Sequence, residues 1–159
     1  MLKVRDLMSR VVFTVAADDS AESAAEILAR AGISGAPVRD EVGALVGIVS
    51  QADFTNTRLA GKRRHPKVSD VMTPDLLGVY EEDPALAAAL EMANHDIHRV
   101  LVWNADGEVA GIVTSLDLVK AIARGADFRV QTVDHDLGGA RRGPTAWNQH
   151  QLGASPLRR

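Results

Sequence analysis

The sequence predicts an α+β fold that is built from two copies of one β-α-β-β-α unit. The first observation is an internal repeat: shifting the 159-residue chain by 64 positions aligns about 17 identical residues over roughly 58 positions without a gap. Residues 47–53 (GIVSQAD) fall on residues 111–117 (GIVTSLD), for example. The second observation is that segments typical of helices and strands follow one another in the same order in both copies. The predicted organisation is repeat 1 at 1–61, a linker at 62–67, repeat 2 at 68–125 and a C-terminal arm at 126–159.

Each copy starts with a short motif and an apolar stretch, VRDLM and VVFTV in repeat 1 and VSDVM and LLGV in repeat 2. A helix start follows, where Asp19 stands three residues before Glu22 in a capping-box pattern. In repeat 2 Asp83 precedes Pro84, which suits the first helical position. Alanine and leucine then predict helices over 20–31 and 84–95, which end before Gly32 and Asp96.

The second half of each copy predicts a hairpin and a further helix. Strands are expected at 33–38 and 44–50 in repeat 1 and at 97–102 and 108–114 in repeat 2, joined by turn residues that end in Gly43 or Gly107. The closing helices are expected at 51–60 and 115–124, before Gly61 and Gly125.

Composition excludes several classes of function. The net charge of −3 argues against broad binding to nucleic acids or membranes. The absence of cysteine excludes disulfides, thiol catalysis and cysteine-ligated zinc. The first ten residues lack the apolar core of a secretory signal, and no apolar run reaches 18 residues, so a soluble, cytoplasmic protein is expected.

Residues 126–159 are rich in glycine, proline and polar residues and have no period, which predicts disorder or a loosely docked arm. Trp147 is the one residue in this arm with enough apolar area to anchor it to a pocket or partner, but a single such side chain buries little area, so an undocked arm is the expectation.

The tandem unit, the DLM and DVM starts and the two GIV segments together resemble a pair of cystathionine-β-synthase (CBS) domains over about residues 1–125. This resemblance implies two repeats packed around a pseudo-twofold axis. It also implies two clefts between the repeats for adenosine compounds: AMP, ADP or ATP, with S-adenosylmethionine and NAD as further candidates. No obligatory cofactor is expected. A homodimer through the helices is implied, and the regulated partner is not identified.

The resemblance also assigns the ligand-binding residues. The family motif of glycine, apolar, two variable residues, apolar and proline is complete at residues 32–37, where it includes Ile33 and Pro37. At residues 96–101 it has Asp for glycine and Leu for proline, which puts the base pocket of that cleft in doubt. The second motif, with Ser or Thr three residues before Asp, is complete twice; its polar residues are Ser50, Asp53, Thr114 and Asp117.

The Ser/Thr–Asp spacing has two interpretations. It suits a helix N-cap, in which the acidic side chain reaches back to the N–H of the cap residue. It also suits a nucleotide site, because a helix N-terminus offers free N–H groups to phosphate and a carboxylate accepts hydrogen bonds from a ribose diol. Both interpretations remain open from the sequence.

His98 and Arg99 are candidate phosphate ligands, because arginine offers a fixed set of donors to phosphate oxygens. Their segment also resembles the matching stretch in the γ subunit of AMP-activated protein kinase, which implies that they face the cleft of Ser50 and Asp53. Repeat 1 has Ser34 and Gly35 at these positions, so unequal clefts are expected.

We find no nucleophile with a base, phosphate-binding glycine loop or dinucleotide fingerprint, and His95 and His98 lack a third metal ligand at a suitable spacing. The sequence therefore predicts a sensor of adenine nucleotides that performs no reaction. The alternative is a protein-interaction module with vestigial clefts, which acts through its dimer surface or its C-terminal arm.

Overall fold

The computed structural model describes residues 1–56, 64–128 and 141–142. Its α+β architecture confirms the predicted fold class. These residues form two compact units, which we call unit I (12–56 and 64–76) and unit II (1–11, 77–128 and 141–142). No helix among them is long and apolar enough to cross a bilayer.

Unit I contains a three-stranded sheet in the order β1-β2-β3, with β1 parallel to β2 and β2 antiparallel to β3. A helix joins β1 to β2, and a short helix follows β3. The elements are β1 (Val15–Ala16), α1 (Ala21–Arg30), β2 (Gly35–Arg39), β3 (Leu45–Ser50), α2 (Gln51–Thr55) and α3 (Val68–Val71).

Unit II repeats this arrangement in a four-stranded sheet of order β6-β5-β4-β7. The parallel pair is β4 and β5, and the hairpin is β5 and β6. A 3-10 turn from the start of the chain also belongs to this unit. The elements are the turn Val4–Asp6, β4 (Leu77–Tyr80), α4 (Ala85–His95), β5 (Arg99–Trp103), β6 (Val109–Thr114), α5 (Ser115–Ala123) and β7 (Arg141–Arg142).

The predicted N-caps of the first helices are wrong by one residue. Ser20 caps α1, with its hydroxyl accepting the N–H of Ser23 (3.1 Å), while the Asp19 carboxylate accepts the N–H of Ala16 (3.2 Å). Pro84 stands at the N-cap of α4 rather than inside it. The Asp19 carboxylate closes the turn between the strand and the helix, and the following serine takes the N-cap position.

The predicted ends of these helices are confirmed. Gly32 follows α1 with a φ of 66°, and Asp96 adopts the left-handed conformation after α4 with a φ of 52°. Glycine enters this conformation freely, and aspartate is among the few other residues that tolerate it.

The repeat starts are exchanged between the compact units. The Val4 N–H donates to the carbonyl of Asp83 (2.9 Å), and the Val68 N–H donates to the carbonyl of Asp19 (2.9 Å). Both valines are fully buried. Repeat 1 therefore contributes its first segment to unit II, and unit I takes the corresponding segment from the start of repeat 2.

The core of unit II extends beyond the predicted end of repeat 2 at Gly125. The Ala126 N–H donates to the carbonyl of Ala121 (3.0 Å), and Phe128 packs against the apolar core. Further along the arm, β7 pairs with the outer edge of β4. The remainder of the arm, including Trp147, and the end of the closing helix predicted for repeat 1 lie outside the described residues.

Candidate functional site

In unit I the two sequence motifs meet through the β2–β3 hairpin. Gly35 pairs with Ser50, and Pro37 pairs with Ile48, at the end of the sheet where β3 runs directly into α2. The Gln51 N–H donates to the carbonyl of Ser34 (3.0 Å), which ties the first turn of the helix to the start of β2. Residues about 15 positions apart in the sequence are thus brought to one corner of the unit by hairpin pairing.

Unit II has the same corner with different side chains. Arg99 pairs with Thr114, Leu101 pairs with Ile112, and the Ser115 N–H donates to the carbonyl of His98 (3.0 Å). The position that is glycine in unit I is therefore an arginine here, directly opposite the N-cap residue of α5.

The Ser/Thr–Asp motif forms a cap in both units. Asp53 Oδ2 accepts the N–H of Ser50 (2.7 Å) and its hydroxyl (2.8 Å). Asp117 Oδ2 accepts the N–H of Thr114 (2.9 Å) and its hydroxyl (2.6 Å). The capping interpretation of the spacing is thus realised in the folded chain, and it involves one carboxylate oxygen of each aspartate.

The other carboxylate oxygen is not used by the cap. Within the described residues, Oδ1 of Asp53 and Oδ1 of Asp117 accept no hydrogen bond, and both side chains are half-buried. An ionised carboxylate has about four lone-pair sites, so each aspartate holds the helix start and keeps acceptor capacity for another group. The two interpretations of the motif are therefore compatible.

The apolar candidates differ in accessibility. Ile33 is half-buried and packs against the core of unit I, whereas Pro37 is fully buried. The Gln51 side-chain amide donates to the carbonyl of Ile33 (3.3 Å), so it lies beside both motifs. Sequence reasoning did not single out Gln51, because it occupies a variable position of the second motif and its counterpart is Ser115.

The two candidate phosphate ligands, His98 and Arg99, also differ in accessibility. His98 is exposed, whereas Arg99 is only 8% exposed and already has an interaction partner in the structure. A buried guanidinium must be paired to offset its loss of hydration. Replacing Arg99 therefore changes the packing of the core as well as the affinity for any ligand. Replacing His98 tests ligand binding without this change in packing.

Ion pairs hold the exchanged starts in equivalent places. Lys67 Nζ lies 2.6 Å from Asp18 Oδ1, and this hydrogen bond lowers the pKa of Asp18. At the equivalent positions of unit II, Lys3 hydrogen-bonds to Glu82 and lowers the pKa of that carboxyl. Lys3 is one-third exposed and the other three side chains are about half exposed, so these pairs orient the segments more than they stabilise them.

No group of three histidine, aspartate or glutamate side chains in the described parts of the chain could hold a metal ion. His95 instead lies beside Glu91 on α4, with Nε2 3.5 Å from Oε1. The corner of each unit thus offers a carboxylate, a helix N-terminus and apolar surface, which suit binding of a small polar ligand.

A model of one protein family, the CBS domain, matches residues 4–59 and 68–124. Among solved structures, the chain resembles the CBS domain pair of protein MJ0100 in complex with 5′-methylthioadenosine and S-adenosyl-L-methionine (28% identity, 79% of this chain, 98% of that chain, TM-score 0.68). It also resembles CBSX2 in complex with AMP (28% identity, 78% of this chain, 98% of that chain, TM-score 0.64). CBSX2 is a CBS-pair protein from Arabidopsis thaliana.

Curated relatives include a homoserine O-acetyltransferase of Methanococcoides burtonii, which is 31% identical over 119 residues. An L-aspartate semialdehyde sulfurtransferase of Methanocaldococcus jannaschii is 31% identical over 115 residues. The matches cover 75% and 72% of this chain but only 24% and 22% of those enzymes. The chain thus spans about a quarter of their length.

Proposed function

Because the chain belongs to the CBS domain family, with two such domains in tandem, we propose that it is a regulatory module that binds an adenine nucleotide and carries out no reaction. The observation that carries this proposal is the spare oxygen of the capping aspartates, Asp53 and Asp117. Relatives of the same fold bind AMP, or 5′-methylthioadenosine with S-adenosyl-L-methionine, which supports a ligand with an adenosine group.

The proposed contacts follow the chemistry of each corner. Asp53 and Asp117 accept hydrogen bonds from the two ribose hydroxyls through Oδ1, while Oδ2 keeps the helix start in place. Ile33 offers apolar surface to the base, and Pro37, from beneath the surface, sets the path of β2. His98 and Arg99 supply donors to phosphate.

Regulation follows from linkage in this proposal. A ligand that binds one arrangement of the two repeats better than another shifts the population toward it. A partner protein that prefers the same arrangement then binds more tightly, by the same coupling free energy. We further propose that the module works as a homodimer.

The alternative function, an interaction module with vestigial clefts, is favoured by one observation. The caps account for the spacing of Ser50 and Asp53 without a ligand. Under this alternative both aspartates only cap the helices that follow them. Replacing either aspartate then changes the stability of the fold and leaves ligand affinity unchanged.

Calorimetric titration of the full chain with AMP, ADP, ATP, NAD and S-adenosylmethionine tests the proposal. Asp53→Ala and Asp117→Ala should each weaken one site for both AMP and adenosine by about tenfold or more, because both ligands carry the ribose diol. Asp40→Ala is the matched control: Asp40 closes a turn by accepting the N–H groups of Val42 (3.0 Å) and Ala44 (2.8 Å), outside either motif. Its loss should leave affinity unchanged, and no binding of any ligand by the native chain would favour the alternative.

The phosphate contacts have their own test. His98→Ala should weaken AMP about tenfold and leave adenosine unchanged, since adenosine has no phosphate. Arg99→Ala should do the same once its melting temperature shows that the fold is retained. Equal losses for AMP and adenosine would show that these residues act through the fold instead. Combining each change with Asp53→Ala or Asp117→Ala identifies the site that they serve.

A further inference from the structure

Gln51 is a polar residue at the corner of unit I whose side chain neither ligand motif specifies. It is the first residue of α2 and directly follows the N-cap residue, Ser50. Its backbone N–H donates to the carbonyl of Ser34 (3.0 Å), and its side-chain Nε2 donates to the carbonyl of Ile33 (3.3 Å). The backbone and the side chain of Gln51 are thus both held by the segment that leads into β2.

The hydrogen bond to Ile33 fixes the direction in which the carboxamide of Gln51 points. A carbonyl oxygen can only accept hydrogen bonds, so the amide nitrogen has to face it. The carboxamide oxygen, Oε1, therefore points away from the Ile33 carbonyl, and it accepts no hydrogen bond from the residues that the structure describes. Because the side chain is exposed, this oxygen and the second amide N–H are open to a ligand.

These open polar atoms lie beside the surface that is proposed above for the base. The side chain of Ile33 is half-buried, and the Gln51 carboxamide is hydrogen-bonded to the backbone of the same residue. Ligand sites typically combine apolar surface with a few placed polar groups that fix the orientation of the ligand and give specificity. Ile33 supplies the apolar surface here, and Gln51 supplies a polar group at its edge.

From this geometry we infer that Gln51 is a specificity-determining residue, which selects adenine over a 6-oxopurine at the corner of unit I. The inference rests on the proposed function and names what distinguishes its ligands. A glutamine carboxamide is complementary to adenine, because its oxygen accepts from the N6 amino group while its N–H donates to a ring nitrogen. Hypoxanthine and guanine carry an oxygen at this position, so the glutamine oxygen would face a second acceptor and remain unpaired.

The contact with Ile33 is what makes this glutamine selective. A free carboxamide can rotate by half a turn, which exchanges its donor and its acceptor and lets it donate to the oxygen of a 6-oxopurine. In unit I this rotation would turn Oε1 towards the Ile33 carbonyl, so that two acceptors face each other and the hydrogen bond from Nε2 is lost. The anchored amide therefore keeps its acceptor towards the ligand.

The corner of unit II lacks this selecting group although its backbone is arranged in the same way. Shifting by 64 positions places Gln51 at Ser115 and Ile33 at Ile97, which is also half-buried. The Ser115 N–H keeps the backbone contact, with the carbonyl of His98 (3.0 Å). A serine side chain is shorter than glutamine, and its hydroxyl donates or accepts according to its rotation. The unit II corner should therefore discriminate less between the two kinds of base.

Calorimetric titration of the full chain with AMP and IMP tests the inference, because these nucleotides share the ribose and the phosphate and differ in the base. Asp117→Ala serves as the background, since it weakens the site of unit II and leaves that of unit I to be measured. In this background AMP should bind more tightly than IMP by about tenfold or more. Adding Gln51→Ser, which introduces the residue of unit II, should weaken AMP until the two dissociation constants are about equal.

Two further variants complete the experiment. Thr55→Ala is the matched control: Thr55 is another exposed polar residue of α2, and its hydroxyl donates to the carbonyl of Ala52 (2.9 Å) within the helix. Its loss should leave the ratio of the AMP and IMP dissociation constants unchanged. The reciprocal variant, Ser115→Gln in an Asp53→Ala background, should increase the preference of the unit II site for AMP.

The possible outcomes separate this inference from the proposed function. Equal affinity of the Asp117→Ala chain for AMP and IMP would overturn the inference alone, because a purine nucleotide is then bound without selection of its base. Equal losses of AMP and IMP in Gln51→Ser would also overturn it, since Gln51 would then support the fold of the corner without contacting the base. If the native chain binds neither nucleotide, the proposed function fails and the inference fails with it.

Discussion

At the scale of single residues, Glu91 is unusual because an acidic side chain occupies a buried position. It is 4% exposed on α4, and Nε2 of His95, which is charged only when protonated, lies 3.5 Å from Oε1 of Glu91. At the equivalent position of α1 stands Ile27, which is partly exposed. Burial raises the pKa of Glu91, and the nearby His95 lowers it by a smaller amount. The carboxyl therefore releases its proton less readily in the folded chain than in the unfolded one.

This difference in the pKa of Glu91 between the folded and unfolded chain predicts that the stability of the fold depends on pH. An unfolded glutamate loses its proton near pH 4.3, whereas Glu91 in the folded chain loses it at higher pH. Between these values the folded state binds more protons, so the free energy of unfolding falls as the pH rises. Glu91→Gln cannot ionise, and its melting temperature should exceed that of the native chain at pH 7 by about 2–4 °C for each kcal/mol gained.

The two melting temperatures should converge below pH 4, where the native carboxyl is also neutral. Glu26→Gln, on the exposed side of α1, serves as the control and should show no such pH-dependent gain. A constant difference between Glu91→Gln and the native chain from pH 4 to 7 would show that packing, not charge, distinguishes them.

At the scale of elements, the exchange of repeat starts explains two glycines in the repeated motif. A Cβ added to Gly47 would lie 2.7 Å from the carbonyl oxygen of Thr73 and 2.8 Å from Met72 Sδ. A Cβ added to Gly111 would lie 2.6 Å from the carbonyl oxygen of Ser9 and 2.9 Å from Met8 Sδ. The strand thus needs glycine where the incoming segment crosses it, because only glycine allows this close approach.

Gly47→Ala should therefore lower the free energy of unfolding by about 1–3 kcal/mol, the usual cost of inserting a methylene where there is no room. Combining it with Met72→Ala should recover only part of this loss, because the carbonyl of Thr73 belongs to the backbone and stays in place. Denaturant titration of the single and double variants measures the coupling. Full recovery in the double variant would show that the thioether alone opposes the added methyl group.

At the scale of the whole molecule, the compact units do not coincide with the contiguous repeats. Val68 and Val71 are among the buried residues of unit I, although they belong to the start of repeat 2. Val4, from the start of repeat 1, is among the buried residues of unit II. A fragment that ends between the repeats therefore lacks part of the core that it is expected to form.

We accordingly predict that a fragment of residues 12–76 shows a cooperative thermal transition, whereas a fragment of residues 1–63 does not. The two have similar lengths, but the first contains Val68 and Val71, whereas the second contains residues 1–11, whose Val4 belongs to the core of unit II. A domain of this size is marginally stable, so the loss of two fully buried valines is decisive. Circular dichroism during heating makes the comparison, and a cooperative transition in residues 1–63 would show that the repeat folds without the exchanged segment.

The sequence alone predicted the fold class and the order of the main helices and strands in both repeats, but not the short helix Val68–Val71 or the strand β7. Local rules were sufficient there, because helix periodicity, turn residues and the spacing of Ser50 and Asp53 act over a few positions. The N-cap of α1 was misplaced because Asp19 and Ser20 both suit it, and only the geometry of the preceding turn selects between them.

Only the tertiary structure decided which segments share a core and which side chains stay accessible. Burial depends on contacts between residues that are far apart in the chain. For this reason His98 is exposed whereas Arg99, the next residue, is nearly buried. Because of such long-range contacts, Val4 is buried in the core of unit II, whereas Leu116 of α5 stays exposed to solvent. A repeat in the sequence specifies two similar local folds. Long-range packing decides which core takes up the first segment of each repeat and which helix faces stay exposed. The apolar area buried in this packing lies on residues far apart in the chain, which no local sequence pattern connects.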